Sequence, residues 1–254
     1  MLVLAAAGFG AGVVDSIAGG GGLLTVPALL ASGMPPIAAL GTNKAQSSLG
    51  TSIATWRYHR AGLISWRPLV PALVMTALGA ALGAWLVQVI KIATLKLIIP
   101  VLMLATIAYF LLSPRMTDED AHQRISMAAY AGVASFIGFY DGFFGPGTGS
   151  FFAASLVALA GMGLSRATGH TKALNLTSNL VSCVLFICAG QVIWMVALVM
   201  GVANICGAWI GSHFAVRHGA RLIRPLLVLV SIGLTVRILL DPANPLRAWI
   251  GHHG

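Results

Sequence analysis

Charge is what this sequence lacks. Of 254 residues, 15 are Lys or Arg and 6 are Asp or Glu, 8% in all, where soluble domains carry roughly 25%. The deficit excludes an ordinary soluble domain, because the charges stand in short clusters between long apolar runs. Cysteine is equally sparse: Cys183, Cys188 and Cys206 all lie in apolar stretches, so no disulfide framework or metal-ligand spacing is present and packing is their expected role. No HExxH, GxSxG, CxxC or P-loop pattern occurs, which leaves no residue set for an enzyme, a metal or a cofactor. GAGVVD and GPGTGS resemble nucleotide-binding glycine runs only superficially, since neither follows a predicted strand.

What is abundant is apolar side chain and glycine. Hydrophobic residues reach 58%, with 30 glycines and a mean hydropathy of +0.91, the profile of a polytopic membrane protein. A net charge of +9 would suggest nucleic acid as the partner of a soluble protein, but in a membrane protein it orients loops toward the cytoplasm. No nucleic-acid partner is expected. The N-terminal MLVLAAAGFGAGVVD lacks a positive leading region and runs into glycines, so it reads as mature protein rather than signal peptide.

The sequence repeats itself at a shift of about 126 to 128 positions. GVVD at Gly12 to Asp15 matches GFYD at Gly138 to Asp141, and each is followed by a glycine-dense break, Gly19 to Gly22 and Gly145 to Gly149. GTNKAQS (Gly41 to Ser47) lies over GHTKALN (Gly169 to Asn175), AGLISW (Ala61 to Trp66) over AGQVIW (Ala189 to Trp194), and the GxxxG of Gly79 and Gly83 over Gly207 and Gly211. Five landmarks in one order indicate duplication. The expected division is residues 1–112 as first repeat, 113–125 as polar linker loop, 126–240 as second repeat and 241–254 as C-terminal tail.

Three full apolar segments are expected per half, at 37–56, 68–90 and 93–112 and then at 166–188, 192–214 and 222–240. Each set is preceded by a segment cut by its glycines, whose second pieces, Leu23 to Ser32 and Ser150 to Gly161, have about half the 20 residues a crossing needs. Such a piece is either the returning arm of a re-entrant hairpin or the far half of an unwound helix. Loop charges decide between them. Arg57, Arg60 and Arg67 mark a loop whose second-half counterpart is uncharged, while Arg217, Arg221 and Arg224 outweigh Lys91 and Lys96 at the next. If positive loops face the cytoplasm, equivalent loops face opposite sides, the repeats are inverted, and each half crosses an odd number of times. Three helices and a hairpin satisfy that count. This topology places Arg57, Arg60, Arg67, Arg115, Arg124, Arg166, Arg217, Arg221 and Arg224 inside and Lys91, Lys96, Arg237 and Arg247 outside. The expected fold class is therefore an all-α polytopic membrane protein of two inverted repeats.

Lys44 and Lys172 fall at matching points within segments, Lys44 roughly 12 Å along its helix from Pro36. A buried ammonium is costly unless paired, so an anion-binding role is expected, the alternative being an ion pair with Asp15 or Asp141. Asn43, Ser47, Thr171, Asn175 and Asn179 surround the lysines and either line a wet face or pack helices. At the breaks, helices restarting at Gly20, Gly21 and Gly22 and at Gly147, Thr148 and Gly149 present N–H groups and a positive dipole end to an anion. Asp15 and Asp141 precede the breaks, either as proton acceptors or as caps and counter-ions. His170 is a rival titrating group.

The glycine break, the TNKAQSS run and the AGLISW turn resemble the sulfite-exporter (TauE/SafE-like) permease family along essentially the whole chain. The resemblance implies export, or sometimes uptake, of small sulfur-containing or organic anions such as sulfite or a sulfonate (sulfoacetate) across the bacterial cytoplasmic membrane. The family's glycine-break positions fall on Gly19 to Gly22 and Gly145 to Gly149, and its T-N-K positions on Thr42, Asn43 and Lys44, then Thr171 and Lys172. The second half departs from the pattern, with HTKALN for TNKAQS. An anion carrier coupled to a proton or ion gradient, with the lipid bilayer as its other partner, is the expected function. An anion channel and a non-transporting scaffold are the alternatives.

Overall fold

The computed structural model describes residues 1–91, 94–95, 98–99, 101–102, 105–106 and 124–218. Most of the expected segment 93–112, all but Arg124 and Ile125 of the linker, the segment 222–240 and the tail lie outside the described residues. Eight helices, and no strand among those residues, make up the fold: α1 (Leu2–Ala18), α2 (Gly22–Ala31), α3 (Pro36–Arg60), α4 (Trp66–Val89), α5 (Met127–Phe143), α6 (Thr148–Ala160), α7 (Leu164–Cys188) and α8 (Trp194–His218). Local chemistry sets several boundaries. Pro36 starts α3, where its missing N–H costs nothing. Ser126 caps α5 by accepting the Ala129 N–H at 3.2 Å. Gly161 ends α6 in the left-handed region at φ 68°.

By length and composition α4, α7 and α8 can each cross a membrane. α3 is as long as α7, at 25 residues, but carries the polar run from Thr42 to Ser52. Both glycine-broken segments turn back on themselves. Gly21 of α2 lies against Ala11 and Asp15 of α1, Leu24 reaches Gly10, and Leu29 shares an apolar cluster with Leu4. In the second half Phe151 packs on Tyr140 with ring centroids 5.2 Å apart, Ser155 bonds the Tyr130 hydroxyl at 2.7 Å, and the Leu159 carbonyl accepts the Arg124 and Ile125 N–H groups. These registers are those of antiparallel hairpins, and the unwound-helix alternative is not what the contacts describe.

Register also gives the helix directions. Gly8 meets Met200, Gly12 meets Asn204 and Ala208, and Gly211 meets Val13, so α1 and α8 run parallel. Gly138 against Thr76, Gly142 against Ala80 and Gly83 against Phe139 make α5 and α4 parallel in the same way. In both pairs a Cβ at the glycine would strike partner backbone, so the GxxxG glycines serve close helix approach. α3 follows α8, through Gln46 at Gly201 and Arg57 at His213. It opposes α7, through Gly41 at Phe186 and Thr55 at Lys172. α4 returns from the Ala61–Ser65 turn until Val87 joins Leu40 and Phe186 in one cluster. Thus α1, α3 and α8 point one way and α4, α5 and α7 the other. Each hairpin is packed on a helix of the other half, α1 on α8 and α5 on α4.

These directions bring all six described arginines, Arg57, Arg60, Arg67, Arg124, Arg166 and Arg217, to one end of the bundle, with Lys91 at the other. Arg115, Arg221, Arg224, Lys96, Arg237 and Arg247 lie outside the described residues. Trp56, Trp66 and Trp209 ring the basic end while Trp85 and Trp194 mark the opposite one, all between 39% and 57% exposed, the distribution of membrane-interface belts.

Candidate functional site

The two breaks meet at the centre of the bundle. Gly19 closes α1 at φ 79°, a conformation open to glycine at little cost, and a Cβ there would also overlap the backbone of Gly149. The Ser150 hydroxyl donates to the Ala18 carbonyl at 2.5 Å, and Pro146 stands against Gly22. The hairpin tips are thus locked together, with the first turns of α2 and α6 starting beside the junction.

Both intramembrane lysines are paired with acids of the opposite half. Lys44 Nζ lies 2.8 Å from Asp141 Oδ1, with side chains 2% and 4% exposed. Lys172 Nζ lies 3.4 Å from Asp15 Oδ2, with side chains 0% and 23% exposed, and also donates to the Asp15 carbonyl. Desolvating a lone ammonium is expensive, and a carboxylate offsets that cost only with good geometry and further hydrogen bonds. The Lys44 pair has them: Asn179 Oδ1 accepts from Lys44 at 3.2 Å, and Asp141 Oδ2 accepts from the Ser178 hydroxyl. The Asp15 pair is looser and partly open.

A cavity of about 20 Å³ lies between the pairs, lined by backbone of both breaks (Gly19, Gly22, Gly145, Gly149) and by side chains including Asp15, Lys44 and Asp141. That is room for about one water. Asn43, Ser47, Asn175 and Asn179 complete the wall. Asn43 is held by a relay: its Oδ1 accepts from Thr25 Oγ1 at 2.5 Å and from Gln46 Nε2 at 3.0 Å, while Gln46 Oε1 accepts from Asn204 Nδ2 at 2.7 Å. With its carbonyl end so occupied, Asn43 has its amide N–H donors left for the cavity it lines.

Of the residues anticipated for substrate, Gly22, Asn43, Lys44, Ser47, Gly149 and Asn175 line the cavity, as do Asp15 and Asp141. Gly20, Gly21, Gly147, Thr148, Thr171 and Lys172 sit just outside it. Thr148 is turned to the Gly145 carbonyl at 2.6 Å, and the buried Thr171 Oγ1 has no hydrogen-bond partner among the described residues. His170 is elsewhere in role. Its Nδ1 donates to the Arg166 carbonyl at 2.9 Å within α7, which orients the ring, and its Nε2 accepts the Ser65 N–H at 3.3 Å, which ties the α3–α4 turn to α7. Thr42 does the same at the matching turn, accepting the Ile193 N–H at 3.0 Å. Sequence reasoning missed Thr25 and Asn204. Asn204 carried a usable signal, an amide inside an otherwise apolar segment.

Residues 4–238 match the model of a family described as sulfite exporter TauE/SafE. A probable membrane transporter protein of Sinorhizobium sp is 48% identical over 247 residues, covering 97% of this chain and 95% of the relative. Probable membrane transporter proteins of Haemophilus influenzae and Escherichia coli K12 are 44% and 43% identical, covering 95% of this chain and 95% and 90% of theirs. No solved structure matches the chain.

Proposed function

The chain belongs to the sulfite exporter TauE/SafE family and is a multi-pass membrane transporter, and from that premise we propose that it exports a small oxyanion, sulfite or a sulfonate such as sulfoacetate, in a proton-coupled cycle. The observation that carries this reading is the crossed pairing of Lys44 with Asp141 and Lys172 with Asp15 around the joined hairpin tips. A substrate oxyanion and a carboxylate compete for the same ammonium. The anion takes the place only once the carboxylate leaves, and protonation is what releases it, so one proton taken up matches one negative charge bound. Asp15, 23% exposed beside the cavity, is the acceptor that protons reach first, and Asp141 is sealed.

In the bound state Asn43 donates through its amide, and Ser47 and Asn175 supply further hydrogen bonds, while the starts of α2 and α6 at Gly22 and Gly149 offer N–H groups and positive dipole ends. Thr171 Oγ1, which lacks a partner among the described residues, is a further donor once the Asp15 pair opens. A 20 Å³ cavity is too small for an oxyanion with three oxygens, so this arrangement corresponds to the closed step between inward and outward opening. The opposed directions of equivalent helices, α1 with α5, α3 with α7 and α4 with α8, support an inverted repeat that rocks about the junction. The cycle makes no covalent change in the anion, so the protein acts as a carrier and not as an enzyme.

Purified protein in liposomes, offered sulfite, sulfoacetate and acetate with and without a pH gradient, tests this. Saturable, gradient-driven flux that disappears in Lys44→Ala or Lys172→Ala is expected. Flux that neither saturates nor responds to a counter-gradient would make the protein a channel. No flux of any anion from folded protein would favour a scaffold.

A further inference from the structure

We propose that the basic ends of α3 and α8 form a binding site for the phosphate of an anionic phospholipid, built from Trp56, Arg57 and Arg60 of α3 and Trp209, His213 and Arg217 of α8. The site is separate from the central cavity and does not rest on the transport reading.

The first observation is a charge imbalance. The chain's six acids are Asp15, Asp118, Glu119, Asp120, Asp141 and Asp241. The two among the described residues, Asp15 and Asp141, are both taken by lysines at the centre. Among the described residues the arginine-rich end therefore has no carboxylate of its own. Among the described residues Arg57, Arg60 and Arg217 form no ion pair with a carboxylate, and lipid headgroups are anions available to cations at a membrane surface.

The second observation is that two of these arginines are held in place by rings. Arg57 Cζ lies 4.6 Å from the Trp209 ring centroid and Arg60 Cζ lies 5.2 Å from that of Trp56. The two indoles stack on each other at 5.7 Å. A guanidinium over an indole is oriented by the ring face yet keeps its N–H donors in its own plane. Arg57 spends one donor, from Nη2, on His213 Nδ1 at 2.8 Å, and its buried Nε has no partner among the described residues. Because Nδ1 accepts that bond, a neutral His213 carries its proton on Nε2 and contributes another donor. Arg217 follows one turn later on the same face of α8. The result is a preorganised set of cationic and neutral donors on one face, assembled from two helices that run parallel to this end.

The third observation decides between a lipid phosphate and a free one. Trp56, Trp209 and Phe214 are 43%, 47% and 48% exposed on the outer surface of the bundle. Leu49, two helical turns before Trp56 on α3 and against Gly201 of α8, is also exposed. Aromatic rings with apolar neighbours on one side and cations on the other match the boundary where acyl chains give way to headgroups. A ligand with a phosphate and a hydrocarbon tail satisfies both parts; free phosphate satisfies only one.

The test uses full-length protein in a neutral detergent, with thermal unfolding and native mass spectrometry as readouts. Phosphatidylglycerol is expected to raise the unfolding temperature and to stay bound as discrete adducts, and phosphatidylcholine is not. The Arg57→Gln/Arg60→Gln double variant should bind phosphatidylglycerol about tenfold more weakly or worse, the shift being read against the variant's own melting in phosphatidylcholine. Arg67→Gln/Arg124→Gln, at the same end but outside the cluster, should keep the lipid effect. If the Arg57 double variant does not fold, the exposed Arg217→Gln reads the same site and should lose part of the shift. Equal effects of the two lipids on the wild type, or equal losses in the Arg67 control, would overturn the proposal. An equal rise with inorganic phosphate or glycerol 3-phosphate would identify a soluble-anion site and overturn the lipid assignment.

Discussion

Lys44 lies 2.8 Å from Asp141, and this contact joins the polar helix of one half to the hairpin of the other. Lys172 and Asp15 make the reciprocal contact at 3.4 Å. The two pairs are not equal. Lys44 and Asp141 are both sealed and further tied by Asn179 and Ser178, whereas Asp15 keeps a quarter of its side chain open beside the cavity. One carboxylate is therefore sealed and the other reachable from the cavity.

Lys44→Ala strands the Asp141 carboxylate in an apolar core, a loss of about 3–5 kcal/mol for a buried pair. Lys172→Ala should cost less, because Asp15 can draw water. Thermal unfolding in detergent measures the difference. The double change Lys44→Met/Asp141→Leu should recover most of the lost stability but no anion flux, since it restores packing without restoring an ammonium. Flux in that double variant would remove Lys44 from the site.

If Asp15 accepts the coupling proton, Asp15→Asn should separate exchange from driving force. Anion exchange across liposomes at equal pH should persist, and accumulation driven by a pH gradient should fall at least tenfold. Asp141→Asn should instead act mainly on stability, because it leaves Lys44 buried without a counter-charge. Counterflow and gradient-driven uptake, measured side by side on each variant, distinguish these outcomes. Unaltered accumulation in Asp15→Asn would rule out its role as acceptor.

Gly19 combines a left-handed backbone at φ 79° with contact against Gly149. Gly19→Ala should therefore abolish folded, monodisperse protein on size-exclusion chromatography. Gly33→Ala supplies the control. Gly33 is also left-handed, at φ 85°, but nothing lies within 4 Å of its would-be Cβ, so only the local strain of about 1–2 kcal/mol applies.

Much of this was legible in the sequence because the membrane restricts the choices. Apolar segment lengths marked α4, α7 and α8, and the short pieces after the glycine runs became α2 and α6 almost residue for residue. The pairing of the intramembrane lysines with Asp15 and Asp141 was legible as the alternative to an anion-binding role, because the cost of an unpaired charge leaves few partners. The choice of which acid meets which lysine was not legible, because it depends on α1 packing on α8 and α5 on α4 across the halves. Thr25 and Asn204 were missed for the same reason: each reaches the site only through the orientation of a neighbour's amide. His170 lies off the cavity, and its sequence position says nothing about the Ser65 N–H that occupies its ring.

That last assignment gives a test with a sharp sign. His170 uses Nδ1 as donor to the Arg166 carbonyl and Nε2 as acceptor from the Ser65 N–H, and it does not line the cavity. A charged imidazole would need a proton on Nε2 and would lose the Ser65 bond, so this clamp favours the neutral ring. Thr42, in the matching place, holds Ile193 with a hydroxyl that does not titrate near neutrality, which indicates that the clamp needs an acceptor and not a proton. Gln offers a carbonyl acceptor of similar reach. His170→Gln should therefore retain pH-driven flux within about twofold of wild type, while His170→Leu, which leaves the Ser65 N–H unpaired, should lose about 1–3 kcal/mol of stability. Loss of gradient dependence in His170→Gln, with folding intact, would move the coupling proton from Asp15 to His170.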